Sequence, residues 1–261
     1  MLNGKPGIRK WKSAAAERLL ALASTETIPD AVKVVVSRLL EGMPCPPTNL
    51  EQLGLRLNVR RIRFEDLPVA GALVRLDDGF EILCSNSAGS GRQQFTIAHE
   101  IAHAIFESTG PRCPQSGEEL ERLCDMLAAE ILMPRSFFLE MCDPVISISN
   151  LYHLARSFKT SLSAAAIRCA ELRGVSVFEA DARKVLWGYG IVKKGALTSV
   201  DSALTTALEL ASKGHPGQDE VYLNTSAGIR KWRVEHKPIA QGRSLFLLQA
   251  SATRLPMTLD H

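Results

Sequence analysis

The stretch FTIAHEIAHAIFE, Phe95 to Glu107, constrains this chain more than any other, because it sets two histidines and a glutamate into an otherwise apolar run. At about 100° per residue, a helix places His99 and His103 about 40° apart, with Phe95, Ala102 and Phe106 on the same side. Ile97, Ile101 and Ile105 occupy roughly the opposite side, so the helix is apolar nearly all round and is predicted to be buried. Buried imidazoles and a buried carboxylate are costly without partners. Histidines at i and i+4 can aim ring nitrogens at one tetrahedral ion, with the intervening Glu100 beside an ion-bound water, which is the HExxH arrangement of zinc peptidases. The competing reading is a chance match, with core histidines bonded to backbone carbonyls.

A second helix, EELERLCDMLAAEILMP, bears on that choice. Glu119 and Glu130 project to nearly one side, read as the wet one. Glu121 and Asp125 stack one turn apart on the opposite side, among Cys124, Ala128 and Leu132. Two carboxylates on an apolar face need a cation or donors. One ion shared between the two helices answers both needs: His99, His103 and Glu121 as ligands, and Asp125 accepting the other ring N–H of a ligand histidine. A fourth position left open for water marks a catalytic site rather than a structural one. The alternative is that Glu121 pairs with Arg122 or another surface base.

The chemistry follows from these parts. Zinc lowers the pKa of its water towards about 7 and polarises a carbonyl. Glu100 takes the water's proton and later delivers it to the leaving amine. An extended substrate would pair with an exposed strand edge beside the metal, and FEILCSN, with Glu81, Ile82, Leu83 and Cys84, is the candidate edge. Tyr152, His153 and Arg156 are candidates for stabilising the oxyanion, each with a structural role as the alternative.

The 261 residues suffice for one large domain or two or three small ones. A net charge of +3 is too small to argue for nucleic acid or an anionic membrane, and no apolar run approaches the roughly 20 residues of a bilayer span. The six cysteines form no CxxC pair and read as reduced thiols of a cytoplasmic protein. Cys113, between the two metal helices, is either a free loop thiol or a fourth ligand of a latent form.

Residues 1–12 read as a basic arm, followed by helices near Ser13–Ser24 and over IPDAVKVVVSRLLEGM. Thr48 with Glu51, and Ser90 with Gln93, have the spacing of capping boxes. NVRRIRFE, GALVRLD and FEILCSN read as strands, the last two joined at Asp77-Asp78-Gly79. SISNLYHLARSFKTSLSAAAIRCAEL reads as two short helices turning near Lys159–Ser161. A boundary is expected around 174–184, followed by strand-like runs interrupted by one helix. The fold class is therefore α+β: an N-terminal arm and helix over 1–29, a helical metal-binding domain with a small three-stranded sheet over 30–146, a helix-turn-helix-like segment over 147–174, and a small α+β domain over 184–261.

RQQFTIAHEIAHAIFE, then ELERLCDMLAAEILMP, with FEILCSN before them, resemble the ImmA/IrrE family of bacterial and phage metallopeptidases over roughly residues 30–173. The resemblance implies a zincin-like domain holding one Zn2+ per chain on His99, His103 and Glu121, with Glu100 as catalytic base. It also implies a substrate class: a partner transcriptional repressor of helix-turn-helix type, whose cleavage induces stress-response or mobile-element genes. One branch of the family carries a GAF-like sensor at this end, for which 184–261 is small. Trp187, Tyr189, Tyr222 and Trp232 read as core or strand-face aromatics, with a ligand pocket as the second reading. The expectation is a cytoplasmic zinc endopeptidase. Its rivals are a metal-containing protein that sequesters a repressor or binds DNA without proteolysis, and a zinc hydrolase acting on a non-peptide substrate. DNA contact by the 147–173 segment is the weaker reading, since its second helix offers only Arg168 and Arg173 as bases.

Overall fold

The computed structural model describes residues 11–109, 117–181, 185–190, 202–225, 228–240 and 242–250. It divides into two compact units, one of residues 1–140 with 156–161, the other of 141–155 with 162–261. The organisation is α+β.

The first unit opens with helices α1 (Ala14–Ala23), α2 (Ile28–Leu39) and α3 (Leu50–Arg56). Each start is fixed by a side-chain oxygen accepting from a backbone N–H two or three residues on: Ser13 from Ala16, Thr27 from Asp30, Asn49 from Gln52. Strands β1 (Val59–Glu65), β2 (Gly71–Leu76) and β3 (Gly79–Ser85) form a sheet in the order β1-β3-β2. β1 runs parallel and β2 antiparallel to β3, with Leu76 opposite Gly79 across the Asp77-Asp78 turn. Helices α4 (Ser90–Ser108) and α5 (Glu118–Leu132) pack on each other, and α4 also packs on β2 and β3. Ala98, Ile101, Ala102 and Ile105 of α4 and Leu123, Cys124, Leu127, Ala128 and Ile131 of α5 are all buried. Each large aliphatic side chain buried there contributes about 1.5–3 kcal/mol, which keeps the two helices in one register.

The second unit contains α7 (Ile148–Ser157), most of which belongs to it, and α8 (Leu162–Arg173), after the short α6 (Arg135–Met141). Strands β4 (Ser176–Asp181), β5 (Val185–Tyr189), β6 (Gly217–Thr225), β7 (Gly228–Ala240) and β8 (Arg243–Ala250) make an antiparallel sheet in the order β5-β4-β8-β7-β6. Phe178, Trp232, Val234 and Phe246 on one face form a core with Ala207 and Ala211 of α9 (Ser202–Ser212). Two further β7 residues are held as well: Glu235 accepts from the Ile148 N–H at 3.0 Å, and Arg233 donates to the Ile146 carbonyl.

Several sequence expectations are corrected. Neither capping box forms: Thr48 donates to the Ile131 carbonyl at 2.7 Å, leaving Asn49 as the cap, and Gln93 donates to the Ser85 carbonyl at 3.1 Å while Gly89 occupies the cap of α4. Trp11 and Lys12 are docked, the Trp11 ring under the Arg122 guanidinium at 5.0 Å and the Lys12 N–H on Glu119. Glu119 and Glu130 are not on a wet face. Glu119 accepts the Lys12 and Ser13 N–H groups at 3.1 and 2.9 Å, and buried Glu130 accepts the Arg135 N–H at 2.9 Å. Strand β4, with partners on both sides, lies within the expected boundary stretch; its run of SVFEA, buried on both faces, lacks the alternation that marks a half-exposed strand.

Candidate metal centre

His99 and His103 stand one turn apart on α4, and Glu121 faces them from the first turn of α5. The Nε2 atoms of the two histidines are 3.2 Å apart. Glu121 Oε2 lies 3.2 Å from His99 Nε2, and Glu121 Oε1 lies 3.7 Å from His103 Nε2. An ion held tetrahedrally at 2.0–2.1 Å has ligand atoms about 3.3 Å apart, so these separations fit zinc without rearrangement. Two neutral rings and a carboxylate cannot all satisfy one another through shared protons. Among the described residues this is the one group of three histidine, cysteine or carboxylate ligands close enough to hold an ion.

Around these three, Asp125 Oδ1 lies 3.0 Å from His99 Nδ1. That contact places the ring proton on Nδ1 and leaves Nε2 with its lone pair towards Glu121 and His103. The carboxylates are not buried as the sequence had suggested. The Glu121 and Asp125 side chains are 48% and 57% exposed, against 17% and 21% for His99 and His103, so the site is open along the α5 side. The apolar face of α5 is real, but its first turn runs past the edge of the core.

Glu100 is buried between the two histidines on the opposite flank. Burial, with the negative charge of Glu121, pushes its carboxyl above the usual range against the opposing pull of His99 and a backbone hydrogen bond from Leu73. A raised carboxyl pKa suits a group that must take and return a proton near neutral pH. Burial drives His99 down, but the hydrogen bond and charge of Asp125, with Glu100 and Glu121, outweigh it and leave the ring above its ordinary value. His103 falls below its ordinary value through burial and repulsion from His99, with Glu121 opposing.

Of the expected substrate edge, Glu81, Ile82, Leu83 and Cys84 all lie on β3, which is paired on both sides, with β1 and with β2. β3 therefore has no free edge. Among the described strands the edges are β1 and β2, each paired with β3 alone, and β2 is the edge strand that packs more closely on α4. Pairing partners are set by tertiary packing, and three adjacent strand candidates in sequence do not reveal which becomes central. Tyr152 and His153 sit on α7 in the second unit, where the Tyr152 ring lies 4.8 Å below the Lys237 ammonium; Arg156 follows on the same helix in the segment assigned to the first unit. Cys113 lies outside the described residues. Trp187 donates to Glu179 at 2.8 Å, Trp232 is buried, Tyr189 is exposed, and the Tyr222 side chain is outside the description. Arg168 is buried and pairs with Glu171 within α8, which removes one of the two bases that segment offered to DNA.

A histidine pair one turn apart, a carboxylate on a neighbouring helix and a glutamate between the histidines form a group that could hold a metal ion, in the HExxH pattern that zinc peptidases use. Residues 56–170 match the family model described as the IrrE N-terminal-like domain of the M78 peptidases. It is 35% identical over 109 residues to the Radiation response metalloprotease IrrE of Deinococcus radiodurans, a match covering 38% of this chain and 33% of that protein. The chain thus spans about a third of the length of that curated relative. In fold it is similar to a Mycobacterium tuberculosis transcriptional regulator, with a TM-score of 0.55 and 13% identity over 90% of this chain and 80% of the other.

Proposed function

We propose that this chain is a zinc-dependent, site-specific endopeptidase that cleaves a helix-turn-helix transcriptional repressor and so induces stress-response or mobile-element genes. The observation that carries the reading is the convergence of His99, His103 and Glu121 within bonding reach of one ion, with Glu100 buried beside them, inside the segment that matches a peptidase family. The name of the Deinococcus relative supports both the metalloprotease chemistry and the stress context.

In this reading His99, His103 and Glu121 hold one zinc ion, and Asp125 fixes the His99 ring. When bound, the ion supplies Lewis-acid polarisation of the scissile carbonyl and lowers the pKa of water. Glu100 accepts the proton of the attacking water and passes it to the departing amide nitrogen. The unpaired edge of β2, beside Glu100, offers backbone donors and acceptors to an extended segment of the repressor. Its place of action is the cytoplasm, in keeping with free Cys45, Cys84, Cys124, Cys142 and Cys169. Among the described residues no helix is long and apolar enough to cross a membrane.

The test is co-expression with helix-turn-helix repressors encoded beside the gene, with and without Glu100→Gln. A discrete repressor fragment that disappears in the variant is the expected result. Regulation that survives Glu100→Gln unchanged would instead establish a sequestering regulator that works without cutting.

A further inference from the structure

Strand β2 touches α4 at three successive outward positions. The Ser85 N–H donates to the Ala70 carbonyl at 2.9 Å, which sets the parity of the pair: Ala72 and Val74 turn their backbone groups to β3, and Gly71, Leu73 and Arg75 turn theirs to the open edge. Arg75 forms an ion pair with Glu107 on α4, and the Leu73 backbone is near enough to the Glu100 carboxylate to favour its charged form. At Gly71 the approach is closest of all. A Cβ there would lie 2.4 Å from Thr96 Cγ2, 3.0 Å from the Leu83 carbonyl oxygen and 3.3 Å from Glu100 Oε1. The φ of Gly71 lies outside the left-handed region, so the position needs glycine for space and not for backbone conformation.

Thr96 and Glu100 are one helical turn apart, and they flank the strand as a pair. A methyl group at position 71 meets one of them well inside contact distance and crowds the other, while the Leu83 backbone behind it cannot retreat without breaking the sheet. We propose that Gly71 is a positioning residue for Glu100: the missing side chain lets the free edge of β2 close onto α4, so that the carboxylate is clamped between strand and metal ligands. The metal ligands are insulated from this contact, since His99, His103 and Glu121 meet at the α4–α5 contact. The role rests on the peptidase reading above, and it separates base alignment from metal binding.

The experiment uses the full chain loaded with zinc and the repressor cleaved in the co-expression test, measuring kcat, KM, zinc affinity by chelator competition and Tm. Gly71→Ala is expected to lower kcat by about 10–100-fold, the cost of displacing a catalytic group by about an ångström, with KM and zinc affinity little changed. Thr96→Ser removes the methyl that the new Cβ would strike, so Gly71→Ala/Thr96→Ser recovers much of the lost kcat while Thr96→Ser alone stays near wild type. Leu73→Pro deletes an outward N–H that takes no part in the ladder and is expected to lower kcat with zinc affinity held; this variant decides the matter if Gly71→Ala fails to fold. Gly71→Ala with unchanged kcat, or with zinc affinity and Tm falling in step with kcat, overturns the positioning role. A wild-type protein that cleaves no repressor overturns the peptidase reading and this role together. Cleavage by wild type and Gly71→Ala at equal rates overturns this role alone.

Discussion

His99 Nδ1 and Asp125 Oδ1 are 3.0 Å apart, linking α4 to α5 one turn beyond Glu121. The contact costs little to keep and does two things: it chooses the tautomer that leaves Nε2 free, and it stops the ring turning about its own axis. Asp125→Ala is therefore expected to weaken zinc binding by about 10–100-fold, as loss of such an orienting carboxylate generally does. Chelator competition on the purified protein checks it; unchanged affinity would leave Asp125 a surface residue.

Glu100→Gln keeps the shape of the side chain and removes its capacity to accept a proton. Activity should fall by about 10²–10⁴-fold, the range for losing a positioned general base. Zinc affinity should hold, because no ligand is altered, and stoichiometric zinc in an inactive variant is the signature to look for.

Removal of the ion tests the site as a unit. An ion that binds the folded chain and not the unfolded one stabilises it by about 2.7 kcal/mol at a hundred times its dissociation constant. Zinc should raise Tm and chelator lower it, and His103→Ala should abolish the zinc-dependent part of the shift. A Tm indifferent to zinc at saturating concentration argues against a folded-state site.

The imidazole of His236 gives the second unit a pH dependence. It is 1% exposed, neither ring nitrogen has a hydrogen-bond partner among the described residues, and burial, opposed by the charge of Asp219, holds its pKa below the ordinary value. The unfolded chain, with a pKa near 6.5, then binds the proton more readily than the folded one. The stability contributed by the neutral ring is present above about pH 6.5 and is lost as pH falls towards the depressed folded value. Urea unfolding at pH 7.5 and 5.5 should show a larger loss for wild type than for His236→Leu. Equal losses would place the acid sensitivity elsewhere.

Leu127 is fully buried where α5 meets α4. Leu127→Ala should cost about 2–5 kcal/mol of stability, and Tm with denaturant titration measures it. Because the same packing sets the spacing between Glu121 and the histidines, zinc affinity should fall with it.

The sequence by itself determined the local objects. The 3.6-residue period put His99, Glu100 and His103 on adjacent faces of one helix, and Asp125 one turn from Glu121 on the next, because helical geometry is nearly independent of context. The hairpin at Asp77-Asp78 and the turn at Lys159, where φ is +51°, were legible for the same local reason. What only the tertiary structure decided were relations between elements. Three adjacent strand candidates did not reveal that β3 is central and β1 and β2 the edges, since pairing order depends on which faces α4 covers. Glu119 and Glu130 fell on one side of α5 in either view, but whether that side meets water depends on where the chain goes elsewhere: Ser13, 106 residues away, caps Glu119, and Arg135, beyond the helix end, caps Glu130. β4 was passed over because a strand buried on both faces has no alternation to read. Nor could Gly71 be weighed from its position at the head of a strand. Its significance is the absence of an atom, and only the arrival of Thr96 and Glu100 within contact distance gives that absence an effect.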